Sequence, residues 1–163
     1  MKINFPSFFV LFVFAAAFFV SPITAAAQSN ETLDIIYGEE QLSAGSAAYL
    51  LLTALEKLED EATPSQAFAA LSALAGDYEL TRVLEDMEAD TLLTLGQYSF
   101  LVQNLFGLPK GMMSIFLPGP RYSARDLGFL RIIQGRVYPD MPISGERAGR
   151  ILVRVLTEKE RRI

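Results

Sequence analysis

Apolar residues recur every three or four positions in several stretches of this chain, and each stretch predicts a helix with one buried face. The first runs from Ser43 to about Glu59, with Leu51, Leu55 and Leu58 in its apolar stripe. The remaining predicted helices span residues 64–75, 79–87, 94–106, 123–134 and 145–157. No alternating pattern of useful length predicts a strand after Ala27. The sequence therefore predicts an all-α fold, a compact bundle of about six to seven helices.

Local signals set the ends of these helices. Thr63 followed by Pro64 predicts a capped start with proline at the first helical position. Ser123 is predicted to cap a later helix that ends at Gly135, and Gly107 is predicted to end the helix before it.

Three segments resemble one another at regular spacing along the chain. Residues 42–51, 93–102 and 143–152 are offset by 51 and 50 positions, and no gap is needed within any of the three. Each has an apolar residue, then a Ser or Thr that caps a helix, then an apolar stripe. The segments indicate repeated units that bury their apolar faces on one another. The alternative is chance similarity among capped amphipathic helices.

The start of the chain, from Met1 to Ala27, has the pattern of a signal peptide. Lys2 provides a positive start, residues 5–20 are almost wholly apolar, and Ala25 and Ala27 match a cleavage site. The apolar run is shorter than the roughly 20 residues of a spanning helix, so we expect cleavage, with a retained membrane anchor as the alternative. The sequence contains no cysteine, which excludes disulfides and a cysteine-linked lipid. We expect a protein of the periplasm or cell envelope.

Charge is divided unevenly along the chain. Residues 28–100 hold 14 Asp and Glu against 2 Lys and Arg, a net charge of −12. Residues 101–163 hold 5 against 11, a net charge of +6. The two halves could attract each other within the fold or face different partners. The acidic total makes nucleic acid an unsuitable partner.

Residues 107–120 differ in kind from the helices around them. Glycine and proline lie at both ends of this segment. Between them are the large apolar residues Met112, Met113, Ile115, Phe116 and Leu117. Such a segment is either buried under the fold or exposed as a contact surface for a protein or a membrane surface.

Residues 122–156 resemble an S-layer homology repeat. In that family a helix with a glycine-punctuated end is followed by a short segment and a second helix; here residues 130–135 and 137–144 occur in that order. The middle unit, from Thr63 to Phe106, is more divergent and carries an insertion, and the first unit shows only its second helix. The resemblance implies two and a half diverged helix-loop-helix repeats in one bundle.

The sequence departs from this family at the residue that matters for binding. Family members use an arginine early in the second helix to hold an acidic wall glycan, because a guanidinium can bind a carboxylate through two hydrogen bonds. The corresponding positions here are Ala44, Leu95 and Gly145. Arg147 and Arg150 could replace the lost arginine, or they could belong to a solvated helix face.

Few residues suit catalysis. The sequence has no His, Cys or Trp, so the usual neutral-pH base, thiolate and soft metal ligands are missing. The carboxylates cluster at 59–61 and 85–90, which is typical of solvated helix ends, and the second cluster lacks the glycine-centred loop of a calcium site. We expect neither an enzyme nor a cofactor or metal.

These observations favour an exported, non-catalytic binding or scaffolding adaptor. We expect residues 28–41 to form an N-terminal arm and residues 42–163 to form the repeat domain. The predicted contact residues for an envelope protein are Met112, Met113, Ile115, Phe116, Leu117, Arg121, Arg125, Arg147 and Arg150. Attachment to a cell-wall glycan is the alternative, and a small carboxylate-type hydrolase is a third.

Overall fold

The computed structural model describes residues 31–59 and 61–161, and within these ranges the chain is helical and has no strand. The helices are α1 (31–38), α2 (Ala44–Ala54), α3 (Pro64–Ala73), α4 (Thr81–Leu84), α5 (Leu95–Leu105), α6 (Met112–Phe116), α7 (Pro120–Phe129) and α8 (Gly145–Glu160). The all-α prediction is confirmed. The predicted signal peptide lies outside the described residues.

Helices α2, α5 and α8 begin with the same local geometry. The side-chain oxygens of Ser43, Thr94 and Ser144 each accept a hydrogen bond from the backbone N–H three residues further along. These three residues are the predicted caps, and each leaves the extended backbone for the helix at the position that the sequence pattern indicates. The cap prediction is confirmed for all three helices.

Backbone hydrogen bonds join these three helix starts in a closed ring. Ala44 N–H donates to Thr91 O (2.8 Å), Leu95 N–H to Met141 O (2.8 Å), and Gly145 N–H to Glu39 O (2.9 Å). The first N–H groups of a helix have no partner inside it, so each helix start is satisfied by the loop that precedes another of the three helices. Each helix also contacts the other two, as predicted for a common core.

The apolar residues that precede the three caps lie at the centre of the ring. Leu42, Leu93 and Ile143 are fully buried. Leu42 N–H donates to Ile143 O (2.7 Å), and Leu93 N–H donates to Leu42 O (2.9 Å). The centre of the fold is therefore both apolar and hydrogen-bonded, which fixes the positions of the three helices relative to one another.

Two helix pairs repeat one packing arrangement. Helix α2 packs on α3, and α5 packs on α7; these are the most extensive helix contacts in the described part of the chain. In each pair the second helix begins with a proline, Pro64 or Pro120. A Cβ on Gly45 would lie 3.0 Å from Pro64 O, and one on Gly96 would lie 3.2 Å from Pro120 O. A glycine two residues after the cap therefore permits both close approaches.

Helix α8 packs on α1 instead. A Cβ on Gly145 would collide with the carbonyl oxygen of Ile36, and one on Gly149 would collide with the ring of Tyr37. The side chain of Ile36 is buried in the core. Residues 31–38 were assigned to an N-terminal arm by the sequence, but they form a helix that packs within the domain.

Several predicted helix boundaries are wrong. The first predicted helix, expected to reach about Glu59, ends at Ala54, because Glu56 takes left-handed backbone. The helix predicted over 79–87 spans only Thr81–Leu84.

Helix α7 begins at Pro120, and Ser123, the predicted cap, is a buried residue inside it. The reason is that proline fits the first turn, where its missing N–H would have no partner. The same helix ends at Phe129, well before Gly135.

Among the described residues, no helix is long and apolar enough to cross a membrane.

Candidate functional site

The segment between α5 and α7 exposes its large apolar side chains. Helix α6 occupies its centre, and Phe116 is 74 % exposed. The other exposed apolar side chains of this segment are Met112, Met113, Ile115 and Leu117. The interpretation that this segment is buried under the fold is wrong for these five residues. We call Met112–Leu117 the apolar segment.

One carboxylate on α7 holds the apolar segment in place. Oδ2 of Asp126 accepts hydrogen bonds from the N–H of Gly111 (2.8 Å), the amide of Gln103 (3.1 Å) and the hydroxyl of Ser114. Gln103 also donates to Pro109 O (3.0 Å). Ser114 and Gln103 are buried. The base of the segment is therefore fastened to α5 and α7, while its apolar side chains face outward.

The hydrogen bonds also set the protonation of this carboxylate. Burial raises the pKa of Asp126, but the bonds from Ser114, Gly111 and Gln103, together with the charge of Arg125, outweigh burial and hold the pKa below its ordinary value. Asp126 is therefore ionised at neutral pH and accepts all three bonds as a carboxylate. This network was not predicted, because its members are far apart along the chain.

Arg121 and Arg125 lie beside one large depression. They are one turn apart on α7 and, with Ile133 and Val137, line an open depression of about 520 Å³. The guanidinium of Arg125 lies 5.5 Å from the ring centre of Phe129, which is exposed and was not predicted as a contact residue. Phe129 lies four positions after Arg125, and this spacing in the sequence could have indicated that the two side chains meet on one helix face. Basic and aromatic side chains thus share one face of α7.

Arg147 and Arg150 lie elsewhere, on α8. They line a smaller pocket of about 140 Å³ together with Gln134, Ile151 and Arg154. Arg154 was missed by the sequence analysis, although it lies one helical turn after Arg150. Arg121 and Arg125 therefore lie at one depression, and Arg147 and Arg150 lie at another.

The three positions that the resemblance aligns with the family's arginine are buried in this structure. Ala44 and Leu95 are buried, and Gly145 is packed against Ile36. A side chain at Gly145 would collide with the backbone of Ile36, and a long charged side chain at Ala44 or Leu95 would have to enter the core. An arginine would therefore be difficult to accommodate at any of the three positions, which is consistent with its absence from the sequence.

Within the described ranges, no group of three or more His, Cys, Asp or Glu side chains lies close enough together to hold a metal ion. Among the described residues, two sets have binding chemistry: the apolar segment with Arg121 and Arg125 on the adjoining α7, and the arginines of α8. Comparison of the chain with models of known protein families, with curated proteins and with solved structures gives no match.

Proposed function

We propose that this chain is an exported, non-catalytic adaptor of a bacterial cell envelope, which binds an envelope protein through the apolar segment. The observation that carries the proposal is that five large apolar side chains are exposed on a segment whose base is fixed by Asp126. Apolar side chains that stay in water contribute no burial energy to folding, and a contiguous exposed apolar patch is typical of an interaction site. A fixed backbone lowers the ordering cost of binding, so the exposed residues suit a preorganised contact.

The chemistry around the segment favours a particular partner surface. Methionine adapts to irregular surfaces, and Phe116 provides an aromatic anchor of the kind that dominates interface energies. Arg121 and Arg125 on the adjoining helix favour carboxylates around the groove that receives the segment. The partner should therefore present an apolar groove bordered by Asp or Glu.

A lipid surface is the alternative to a protein partner for the apolar segment. The whole chain has a net charge of −5, and most of its acidic residues lie in the first half. An anionic bilayer would repel the acidic first half, while it would attract the basic half that carries the apolar segment. Contact of Met112–Leu117 with a membrane surface is thus an alternative that the experiment below separates from protein binding.

We also infer that the domain consists of diverged repeats of the S-layer homology type. The support is that the caps Ser43 and Thr94 are separated by the same number of positions as the glycines Gly45 and Gly96. The ring of hydrogen bonds extends the similarity to Ser144. Wall-glycan attachment through the family's usual position has less support, since that position is closely packed in all three units.

Site-specific photo-crosslinking tests the adaptor proposal. A photoreactive phenylalanine analogue at position 116 should crosslink to one envelope protein in cells, and the same analogue at the exposed position of Ile35 should not. Phe116→Ala and Met113→Ala should weaken the captured complex and leave the melting temperature nearly unchanged. Crosslinks to lipid alone, or equal protein crosslinks from both positions, would contradict the proposal.

A further inference from the structure

Three arginines of α8 converge on one small pocket. Arg147, Arg150 and Arg154 follow one another at spacings of three and four, so they share a helix face. With Gln134 they line a pocket of about 140 Å³. This volume leaves room for a single oxyanion group.

Two of these guanidinium groups are positioned by neutral acceptors. Arg147 donates to Arg136 O (2.6 Å) and to the sulfur of Met141 (3.2 Å). Arg154 donates to Ile132 O (3.1 Å) and to the side-chain oxygen of Gln134 (2.8 Å). Carbonyl and thioether acceptors orient a guanidinium without cancelling its charge. The pocket is therefore preorganised and remains positive.

The charge of the pocket is only partly balanced. Arg150 forms an ion pair with Glu146 at 3.7 Å, and both side chains are well exposed. Three arginines and this one carboxylate leave a net charge of +2. Burial, and then the charge of Arg150, lowers the pKa of Arg147, which shows that the cations repel one another. A bound anion would relieve that repulsion.

We propose that this pocket binds a phosphate group carried by a larger molecule. A phosphate monoester has a charge of about −1.5 to −2 at neutral pH and three acceptor oxygens, which match the net charge and the donors better than a carboxylate does. A second depression of about 390 Å³ shares Arg150 and Arg154 in its lining and also contains Tyr37 and Val153. The rest of the ligand would lie over that apolar surface.

Titration of the purified protein with inorganic phosphate, glycerol 3-phosphate and acetate tests the proposal. Calorimetry should detect both phosphates, and the arginine side-chain NMR signals of Arg150 and Arg154 should shift. Arg150→Gln should lower phosphate affinity about ten- to a hundredfold, as expected for the loss of a charge-assisted hydrogen bond. Glu146→Gln should raise the affinity, and the matched control Arg82→Gln, at an exposed position outside the pocket, should leave it unchanged.

Vesicles distinguish the two sources of such a group. Binding of glycerol 3-phosphate in solution supports a soluble phosphate ester, whereas sedimentation with phosphatidic acid vesicles, abolished by Arg150→Gln, supports a lipid headgroup. The proposal is overturned if neither phosphate nor vesicles bind, if acetate binds as well as phosphate, or if Arg150→Gln and Arg82→Gln behave alike. Circular dichroism of each variant establishes that it is folded.

Discussion

Two connectors in this protein join equivalent helix pairs and differ almost completely. The connector between α2 and α3, residues 55–63, is short and acidic, with Glu56, Glu59 and Glu61 exposed. The connector between α5 and α7, residues 106–119, contains α6 and exposes the apolar segment. Both lead to a proline that begins the second helix and packs near a glycine of the first.

The difference between the two connectors indicates which part is needed for folding and which part is available for binding. The first pair shows that a short polar connector is enough to close this packing arrangement. The longer connector therefore adds something that the helix pair itself does not need, and its exposed apolar surface is typical of an interaction site. Its buried parts, Phe106, Leu108 and Ser114, attach it to the core.

Core substitutions should have the largest effect on stability, and the effect should be equal in the two helix pairs. Leu50 and Leu101 occupy equivalent positions of α2 and α5, and both are buried in the core. Leu50→Ala and Leu101→Ala should each lower the free energy of unfolding by about 2–5 kcal/mol, because each leaves a cavity. Chemical denaturation measures both. A loss below about 1 kcal/mol for either variant would show that the two pairs do not contribute alike to the core.

An intermediate effect should be confined to the second connector. Asp126→Ala removes the acceptor for Gly111, Ser114 and Gln103 and leaves buried donors unpaired, which should cost about 1–3 kcal/mol. The same substitution at the exposed Asp140 is the control and should change stability by less than about 0.5 kcal/mol. Equal losses at the two sites would remove the evidence that Asp126 fastens the connector.

The contribution of Asp126 to stability should decrease as pH falls. Its pKa is lowered in the folded protein from an ordinary value of 3.8, so the unfolded chain takes up the proton first as pH falls. The stability difference between wild type and Asp126→Ala should be constant above about pH 5 and shrink as pH falls below 3.8. Denaturation curves from pH 7 downward measure this. A difference that grows on acidification would contradict the lowered pKa.

Substitutions at the ends of α2 and α5 should have smaller effects on stability. Glu56 and Gly107 occupy equivalent positions after these helices, and both have left-handed backbone, with φ of 54° and 60°. Gly107→Ala should cost about 1–2 kcal/mol, because a Cβ disfavours this conformation. Glu56→Gly should instead be neutral or stabilising by less than about 1 kcal/mol. Thermal melts of the two variants test whether the helix ends are equivalent.

The sequence pattern correctly predicted the features that depend only on residues adjacent in the chain, such as helix caps. The caps at Ser43, Thr94 and Ser144 and the end of α5 at Gly107 follow from local backbone chemistry. Helix α1 was missed because its described part, residues 31–38, gives too short a pattern, and only packing on α8 shows why it is helical.

The candidate site was predictable in composition but not in arrangement. The apolar run at residues 112–117 is visible in the sequence, whereas its exposure depends on Asp126, which binds residues far away along the chain. Likewise, the grouping of Arg147, Arg150 and Arg154 around Gln134 requires the loop after α7 to fold back onto α8. Long-range contacts of this kind leave no local pattern.

The most direct test of the central claim is the free energy of unfolding of a triple variant, Met112→Gln, Ile115→Gln and Phe116→Ser. These side chains are exposed, so the account predicts a value within about 0.5 kcal/mol of wild type, with the same cooperative transition. A loss of more than about 2 kcal/mol would mean that the apolar segment supports the core, and the claim that it is reserved for binding would be contradicted.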